Sequence, residues 1–202
     1  MLHKKRGLEH AERIGGDADF PWECVRSVVA CPRAGIWVGV GVARIGICFV
    51  CSANICRSPT AEGIMKHLVE EASLGDRFHI ESAGTSSFCE GGPRNRRSES
   101  TANSRGISLE GRARLFRRED FARFDYVLAM DERNRADLVA LAESAEDRAK
   151  VALLRDFDPN ASETSVPDPY MGGARGFEEV FELCEAACRG LMAELLGRLG
   201  DR

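Results

Sequence analysis

The sequence lacks the features that usually mark membrane-spanning, nucleic-acid-binding or metal-binding proteins. It contains no run of about 18 apolar residues, so we expect no membrane-spanning helix. Its formal net charge is -4, which gives no electrostatic reason to expect nucleic acid and mildly opposes binding to an anionic membrane. No second cysteine or histidine pair has ligand spacing, so no metal ion is expected.

The composition is that of an ordinary globular domain whose thiols stay reduced. The 202 residues are 44% apolar and 30% charged, which leaves room for a real core. The chain is too long, and its eight cysteines are too unevenly placed, for a secreted disulfide scaffold. Cys184 and Cys188 fall four residues apart in an apolar helical pattern, which predicts a shared buried helix face. We therefore expect a cytoplasmic protein that acts as a monomer.

Residues 1–43 differ in character from the rest of the chain. They mix charges, glycine and proline without a clear period, and the apolar stretch at 27–42 is interrupted by Cys31, Pro32 and Arg33. A signal peptide would carry its apolar run directly behind a basic start, whereas acidic residues precede this run. We predict a poorly ordered extension over residues 1–43 and one folded domain over residues 44–202.

Strands and helices are predicted to alternate from Ile45 onwards. This alternation indicates an α/β fold, a three-layer sandwich with a central four-stranded parallel sheet and helices on both faces. In such a sheet, ligands bind beyond the carboxyl ends of the strands, where a loop beginning at Cys51 follows the first strand. The predicted strands are 45–50, 78–82, 126–130 and 151–154, and the main predicted helices are 58–73, 98–105, 132–141 and 176–199.

Cys51 and Arg57 bracket five residues in the loop between the first predicted strand and the first predicted helix. With eight cysteines and 24 arginines in the chain, about one such pair is expected by chance, so the spacing alone means little. The position of the pair in the predicted fold is more informative, because a strand-to-helix turn is where an anion site is expected. Ser58 precedes Pro59 and is predicted to cap the helix.

The residue types in this loop suit the binding of a tetrahedral oxyanion. Backbone N–H groups that point inward form an anion nest, and the helix N-terminus adds partial positive charge. Arg57 can bind two phosphate oxygens through its planar fork, and these positive surroundings favour the thiolate form of Cys51. Ser58 could donate a hydrogen bond to that thiolate. Asn54 tolerates a left-handed conformation and can bond across the turn.

Two other functional interpretations of the loop are less consistent with its residues. A nucleotide-binding loop would need glycines and a Gly-Lys-Ser/Thr ending, and this loop has neither. Cys48 and Cys51 form a Cys-x-x-Cys pair, which suggests a thioredoxin-like site. Because Cys48 falls inside the predicted strand, we expect it to pack in the core instead.

Four segments in order resemble the low-molecular-weight protein tyrosine phosphatase family. The resemblance spans about residues 44–199 and implies the family's fold, with a phosphate loop after the first strand. It also implies a phosphatase that needs no metal or cofactor. The four segments are residues 47–59, which resemble the phosphate loop, 82–85 after the second strand, 125–131 at the third strand, and 168–170 in a late acid loop.

The resemblance assigns roles to three catalytic residues. Cys51 is the implied nucleophile and Arg57 binds the phosphoryl oxygens. Expelling a phenoxide requires a proton, and Asp168 lies on a loop with Pro167 and Pro169 on either side, which restricts its backbone. On chemistry alone, Asp168 could equally be an ordinary turn aspartate, and the resemblance favours the general acid. The remaining implied phosphate-binding residues are Ser52, Ala53, Asn54, Ile55, Cys56 and Ser58.

The substrate class depends on fewer residues. Phe88 and Tyr170 fall where the family has aromatic walls around the phosphate, although either could instead belong to the core. Family members that act on phosphoarginine or arsenate usually carry a small polar residue at the position of Ile55, so isoleucine favours phosphotyrosine-containing proteins as substrates. The family resemblance also suggests that Cys56 pairs reversibly with oxidised Cys51. The arginines at 94, 96 and 97 could favour acidic peptide substrates, although we interpret them as solvated charge.

Three alternatives remain open from the sequence. A phosphoarginine phosphatase or a thiol-linked arsenate reductase of the same fold would use the same loop, although the reductase would want further mobile cysteines and Cys89 alone offers that weakly. A catalytically silent phosphate-binding module is the alternative from another class. The presence of Cys51, Arg57 and Asp168 together argues against it.

Overall fold

The fold was analysed in a computed structural model, which describes residues 44–200. The predicted extension over residues 1–43 therefore lies outside the described residues. Four strands form one sheet in the order β2-β1-β3-β4, and every neighbouring pair is parallel. This confirms the predicted four-stranded parallel sheet. The strands are β1 (Ile45–Cys51), β2 (Phe78–Gly84), β3 (Tyr126–Ala129) and β4 (Val151–Leu153).

Within residues 44–200, five α-helices accompany the sheet, and four of them were predicted within a few residues. The exception is α4, a single short turn of helix that the sequence analysis did not predict. Ser144 accepts from the N–H of Asp147, whose side chain accepts from Ser144 in return, so a capping box holds this turn. The helices are α1 (Arg57–Glu71), α2 (Arg96–Asn103), α3 (Glu132–Leu141), α4 (Ala145–Ala149) and α5 (Ala174–Gly200).

Alternate residues of β1 point into two separate apolar cores. Ile47 and Phe49 belong to the core formed with α1, α2 and α5, whereas Cys48 and Val50 belong to the core formed with α3 and the segment around Phe121. The predicted three-layer sandwich is thereby confirmed. Cys48 is fully buried, as expected for a core residue.

Helix α5 presents the predicted apolar seam to the first of these cores. Cys184 and Cys188 are both fully buried on it, which confirms their shared face. The helix lies close to the segment after β4, because a Cβ added at Gly190 would fall 1.8 Å from the carbonyl oxygen of Phe157. Only glycine permits this approach.

The carboxyl end of the central strand β1 lies between the carboxyl ends of its neighbours β2 and β3, on the side of the sheet where all four parallel strands end. Cys51 is its last residue and pairs with Gly84, the last residue of β2. The following loop turns directly into α1. Among the helices of the described part of the chain, none combines the length and apolar character that a membrane span requires.

Candidate active site

The phosphate loop, residues 51–58, wraps around the thiol of Cys51. Asn54 has a left-handed backbone (φ 55°), as the sequence predicted, and this conformation directs its N–H at Cys51 Sγ, 3.3 Å away. The Ser58 hydroxyl lies 3.0 Å from the same sulfur. Cys51 is only 3% exposed, so the sulfur has two polar neighbours in a largely buried position.

Ser58 does not cap helix α1, contrary to the prediction. The helix begins one residue earlier, at Arg57, and its N-cap residue Cys56 makes no side-chain cap bond. Ser58 is therefore already inside the first turn, where its hydroxyl is 3.2 Å from the Ala83 carbonyl and receives the Asn54 amide at 2.9 Å. These bonds hold the hydroxyl beside the Cys51 sulfur.

Arg94 supports the loop from behind, and its interpretation as solvated charge is wrong. It is only 5% exposed. Its Nη1 donates to both the backbone carbonyl (2.7 Å) and the side-chain oxygen (2.9 Å) of Asn54. Glu62 balances the charge at 3.4 Å from Nη2. Residues 92–97 lie against the phosphate loop, so the charge of Arg94, which was predicted to be solvated, belongs to a buried network.

Arg57 is held by acceptors from two other parts of the chain. Its Nη1 donates to the Asp131 carboxylate at 2.5 Å and to the Val166 carbonyl at 3.0 Å. Burial acts to lower the pKa of Arg57, but Cys51 and Asp131 outweigh it and hold the pKa above its ordinary value. Arg57 is only 3% exposed, and its guanidinium stays positively charged beside the phosphate loop.

Asp168 lies at the outer side of Arg57. One carboxylate oxygen is 3.4 Å from Arg57 Nη2, and the other accepts from the N–H of Tyr170 at 3.1 Å. Its side chain is 54% exposed. The structure thus brings together a thiol loop, a buried guanidinium and an accessible carboxylate, although the last is more than a hundred residues from the first in sequence.

Asp131 and Asn134 are site residues to which the sequence analysis gave no role. Asp131 caps α3 by accepting from the Asn134 N–H at 2.7 Å while it also binds Arg57. The Asn134 amide is buried and lies 3.1 Å from Ser52 Oγ. Asp131 closes the segment 125–131 that carries the family resemblance, and its helix-start position predicts a cap and not a partner for Arg57.

Gly84 lies against the back of the loop. A Cβ at this position would fall 2.7 Å from the Ser52 carbonyl oxygen and 3.2 Å from the Asn54 nitrogen. The next two N–H groups, of Thr85 and Ser86, donate at 2.9 Å to the carbonyls of Cys51 and Ser52. The segment after β2 therefore holds the beginning of the phosphate loop in place.

The remaining predicted site residues lie within the loop or are exposed near its flanking segments. Ala53 and Ile55 are partly exposed in the loop, and the Ile55 carbonyl accepts from the Asn95 N–H at 2.8 Å. Phe88, in the 3-10 turn after β2, is 90% exposed, and Tyr170 is 51% exposed. Neither aromatic residue is part of the core, which removes the alternative left open by the sequence.

Cys56 is buried in the loop beside the first turn of α1. Burial raises the pKa of its thiol to about 12, and a hydrogen bond with Ser98 only partly offsets this. Cys56 is therefore protonated at neutral pH. Within residues 44–200, no cluster of three or more histidine, cysteine or carboxylate side chains could hold a metal ion.

Known proteins of one family match the chain over most of its length. The family model described as low molecular weight phosphotyrosine protein phosphatase matches residues 46–198. A low molecular weight protein-tyrosine-phosphatase of Streptomyces coelicolor is 44% identical over 158 residues, which is 77% of this chain and 96% of that protein. The residues matched by the family model include both the phosphate loop and the segment around Asp168.

Solved structures agree with the sequence comparison. A protein tyrosine phosphatase from Entamoeba histolytica has a TM-score of 0.73 at 36% identity and covers 76% of this chain and 97% of its own. A Drosophila arginine phosphatase has a TM-score of 0.70 at 30% identity and covers 74% and 96% of the two chains. The chain belongs to the low molecular weight phosphotyrosine protein phosphatase family and is a hydrolase of phosphate monoesters.

Proposed function

We propose that this protein hydrolyses phosphotyrosine in protein substrates through a phosphocysteine intermediate on Cys51. One arrangement carries the proposal. The Cys51 sulfur is held by the Ser58 hydroxyl at the start of a helix, while Arg57, on the same loop, contacts Asp168 at 3.4 Å. A nucleophile, an anion binder and a proton donor are thereby available to one phosphoryl group.

In the first step, the Cys51 thiolate attacks phosphorus and the bond to the leaving oxygen breaks. Asp168 gives its proton to that oxygen, so a neutral phenol departs. The phosphoryl group is now bonded to sulfur. Its three oxygens are bound by the Arg57 fork and by the loop residues Ser52, Ala53, Asn54, Ile55, Cys56 and Ser58, mainly through backbone N–H groups.

In the second step, water attacks phosphorus and the bond to sulfur breaks. Asp168, now a carboxylate, takes the proton from the attacking water. The Ser58 hydroxyl donates to the Cys51 thiolate as it departs, which stabilises it as a leaving group. Inorganic phosphate is released and the thiolate is restored, so the cycle consumes no metal, cofactor or redox equivalent.

A phosphoarginine substrate is the second candidate, because the arginine phosphatase of Drosophila shares the fold at 30% identity. The residue that bears on the choice is Ile55, which is partly exposed at the phosphate loop. An apolar side chain there suits the phenyl ring better than a guanidinium that needs hydrogen-bond partners. The exposed rings of Phe88 and Tyr170 offer further aromatic walls.

The test compares hydrolysis of a phosphotyrosine peptide and a phosphoarginine peptide by the wild type, Cys51→Ala, Asp168→Ala and Ile55→Thr. We expect the wild type to prefer phosphotyrosine and Cys51→Ala to be inactive on both peptides. Asp168→Ala should be slowed on phosphotyrosine, because the leaving oxygen is no longer protonated, and Ile55→Thr should shift the ratio towards phosphoarginine. Val139→Thr is the matched control, because Val139 is also a partly buried β-branched apolar residue and lies on helix α3 outside the phosphate loop. Absence of phosphotyrosine turnover by the wild type would overturn the substrate assignment.

The catalytic thiol also bears on where and how the protein works. A reducing compartment keeps a nucleophilic cysteine in its thiol form, which supports a cytoplasmic location. Cys51, Arg57 and Asp168 come from a single chain, which supports a monomer acting on phosphotyrosine-containing proteins. The net charge of -4 favours neither nucleic acid nor an anionic membrane as a partner. An arsenate reductase is less consistent, since Cys89 is the only free cysteine in residues 44–200 that is not buried.

A further inference from the structure

Arg97 joins helix α2 to the acid loop, defined here as residues 167–173. It lies in the first turn of α2. Its Nη2 donates to the Tyr170 carbonyl and its Nη1 to the Gly172 carbonyl, both at 2.6 Å. A single planar fork thus holds two backbone carbonyls that follow Asp168 by two and four residues.

The orientation of this fork is fixed by an aromatic ring. The guanidinium carbon of Arg97 lies 4.4 Å from the centroid of Phe177, which is 2% exposed on α5. The ring face attracts the cation and sets the plane of the guanidinium. Arg97 therefore reaches the acid loop from a position set by two helices.

The acid loop has few other connections to the rest of the domain. Val166, just before it, is held by Met130 and Arg57, and α5 begins just after it at Ala174. Across residues 44–200, the side-chain hydrogen bonds that join 167–173 to other elements are the two from Arg97 and the 3.4 Å contact of Asp168 with Arg57. The one backbone bond of this kind lies at the end of the loop, where the Gly176 N–H of α5 donates to the Gly173 carbonyl at 3.1 Å. Arg97 thus supplies the side-chain anchorage of the loop between Asp168 and the start of α5.

The anchored residue Tyr170 is also the one that orients the Asp168 carboxylate. Arg97 binds the carbonyl of Tyr170, and the N–H of Tyr170 donates to Asp168 Oδ1 at 3.1 Å. A shift of the Tyr170 backbone would therefore move the donor that holds the carboxyl group. The side chain of Asp168 is 54% exposed and has little packing to compensate for such a shift.

We propose that Arg97 is a positioning residue that holds the acid loop so that Asp168 meets the leaving oxygen. This inference rests on the proposed role of Asp168 as general acid. Removing Arg97 then impairs protonation of the leaving group and leaves phosphate binding intact, because the phosphate loop receives no bond from Arg97. An effect confined to leaving-group protonation distinguishes this role from general support of the fold.

The test measures kcat/KM for two aryl phosphates that differ in how much help their leaving group needs. The phenolate released from phenyl phosphate must be protonated as it leaves. By contrast, 2,4-dinitrophenyl phosphate releases a stabilised phenolate that needs no proton. For Arg97→Ala we expect kcat/KM on phenyl phosphate to fall about 10- to 100-fold, as for a misplaced general acid. On the dinitrophenyl ester we expect a fall of about threefold or less, because general acid help is not needed there.

Arg105→Ala is the matched control. Arg105 follows α2, lies 4.4 Å from the Phe181 ring and binds Glu178, so it also joins α2 to α5, but it makes no bond to the acid loop. It should show no difference between the two esters. The inhibition constant of inorganic phosphate should stay within about twofold of wild type in both variants, because neither arginine touches the phosphate loop.

Two further variants keep the test decisive. Arg97→Lys retains the charge but not the fork, and should show the same difference between esters in weaker form, even where Arg97→Ala fails to fold. A uniform loss on both esters, or an equal effect in Arg105→Ala, would overturn the inference.

Asp168→Asn separates the proposed role of Arg97 from the proposed role of Asp168. If Asp168→Asn loses more activity on phenyl phosphate than on the dinitrophenyl ester, and Arg97→Ala and Arg97→Lys do not, only the role of Arg97 is wrong. Without discrimination in Asp168→Asn, the proposed acid itself is wrong.

Discussion

A methyl group added at Gly84 would press on the phosphate loop from behind, so Gly84→Ala tests how finely the loop must be placed. The added Cβ would lie 2.7 Å from the Ser52 carbonyl oxygen, where ordinary contact begins at 3.4 Å. The neighbours at 3.2 Å are also backbone atoms, of Ala53 and Asn54, and cannot rotate aside. Either the loop or the end of β2 must therefore move by roughly 0.7 Å.

The size of the effect follows from what the displaced atoms do. The moving segment carries the N–H groups proposed to bind the phosphoryl oxygens, and it begins at Cys51. Because a misplacement of about 1 Å can cost about 100-fold in rate, we expect kcat/KM of Gly84→Ala to fall about 10- to 100-fold. Crowding in a packed region should also lower the free energy of unfolding by about 1–3 kcal/mol.

The assay is steady-state hydrolysis of an aryl phosphate, with the urea midpoint measured in parallel. Gly75→Ala is the control, since a Cβ there meets nothing within 4 Å and should leave both quantities close to wild type. We expect inorganic phosphate to inhibit Gly84→Ala more weakly than wild type. A folded Gly84→Ala protein with kcat/KM within about twofold of wild type would refute the reasoning, because the loop would then tolerate displacement.

Two further predictions concern the buried thiols. After peroxide treatment, Cys56→Ala should lose the recovery of activity by thiol reductants, and unchanged recovery would rule out a Cys51–Cys56 disulfide. Because the pKa of Cys56 is raised to about 12, closure of that disulfide in wild type should speed up about tenfold per pH unit between pH 7 and 9. Burial also raises the pKa of Cys188 well above 9.0, so the unfolded state releases this proton first and stability falls as pH rises through 9. Cys188→Ala should therefore lose less stability than wild type between pH 8 and 10, measured by urea unfolding, and an equal loss would contradict the linkage.

The sheet and most helices could be predicted because their signals are local. Ile45–Cys51 is an apolar run that stays buried on both faces, and α5 shows a continuous apolar seam. Helix α4 was missed because five residues of helix carry no periodic pattern. Its capping box was the available signal, but an aspartate that accepts from the N–H three residues earlier also occurs at a 3-10 turn, as Asp120 does with Arg117.

The phosphate loop could be predicted because a strand, a turn residue and a helix start adjoin in sequence. Its supporting residues could not be, since each contact joins distant segments. Arg94 reaches Asn54 across 40 residues, and nothing local distinguishes it from the exposed Arg96. Asp131 was recognisable as a helix cap but not as the partner of Arg57, 74 residues away.

The central claim is that Cys51 carries the phosphoryl group during turnover. Its most direct test is to mix the enzyme with an aryl phosphate, quench with acid on the millisecond scale and map the modified peptide by mass spectrometry. The account predicts one phosphoryl group on the peptide that contains Cys51 and none in Cys51→Ala. A phosphoryl group on another residue, or turnover by Cys51→Ala at the wild-type rate, would contradict it.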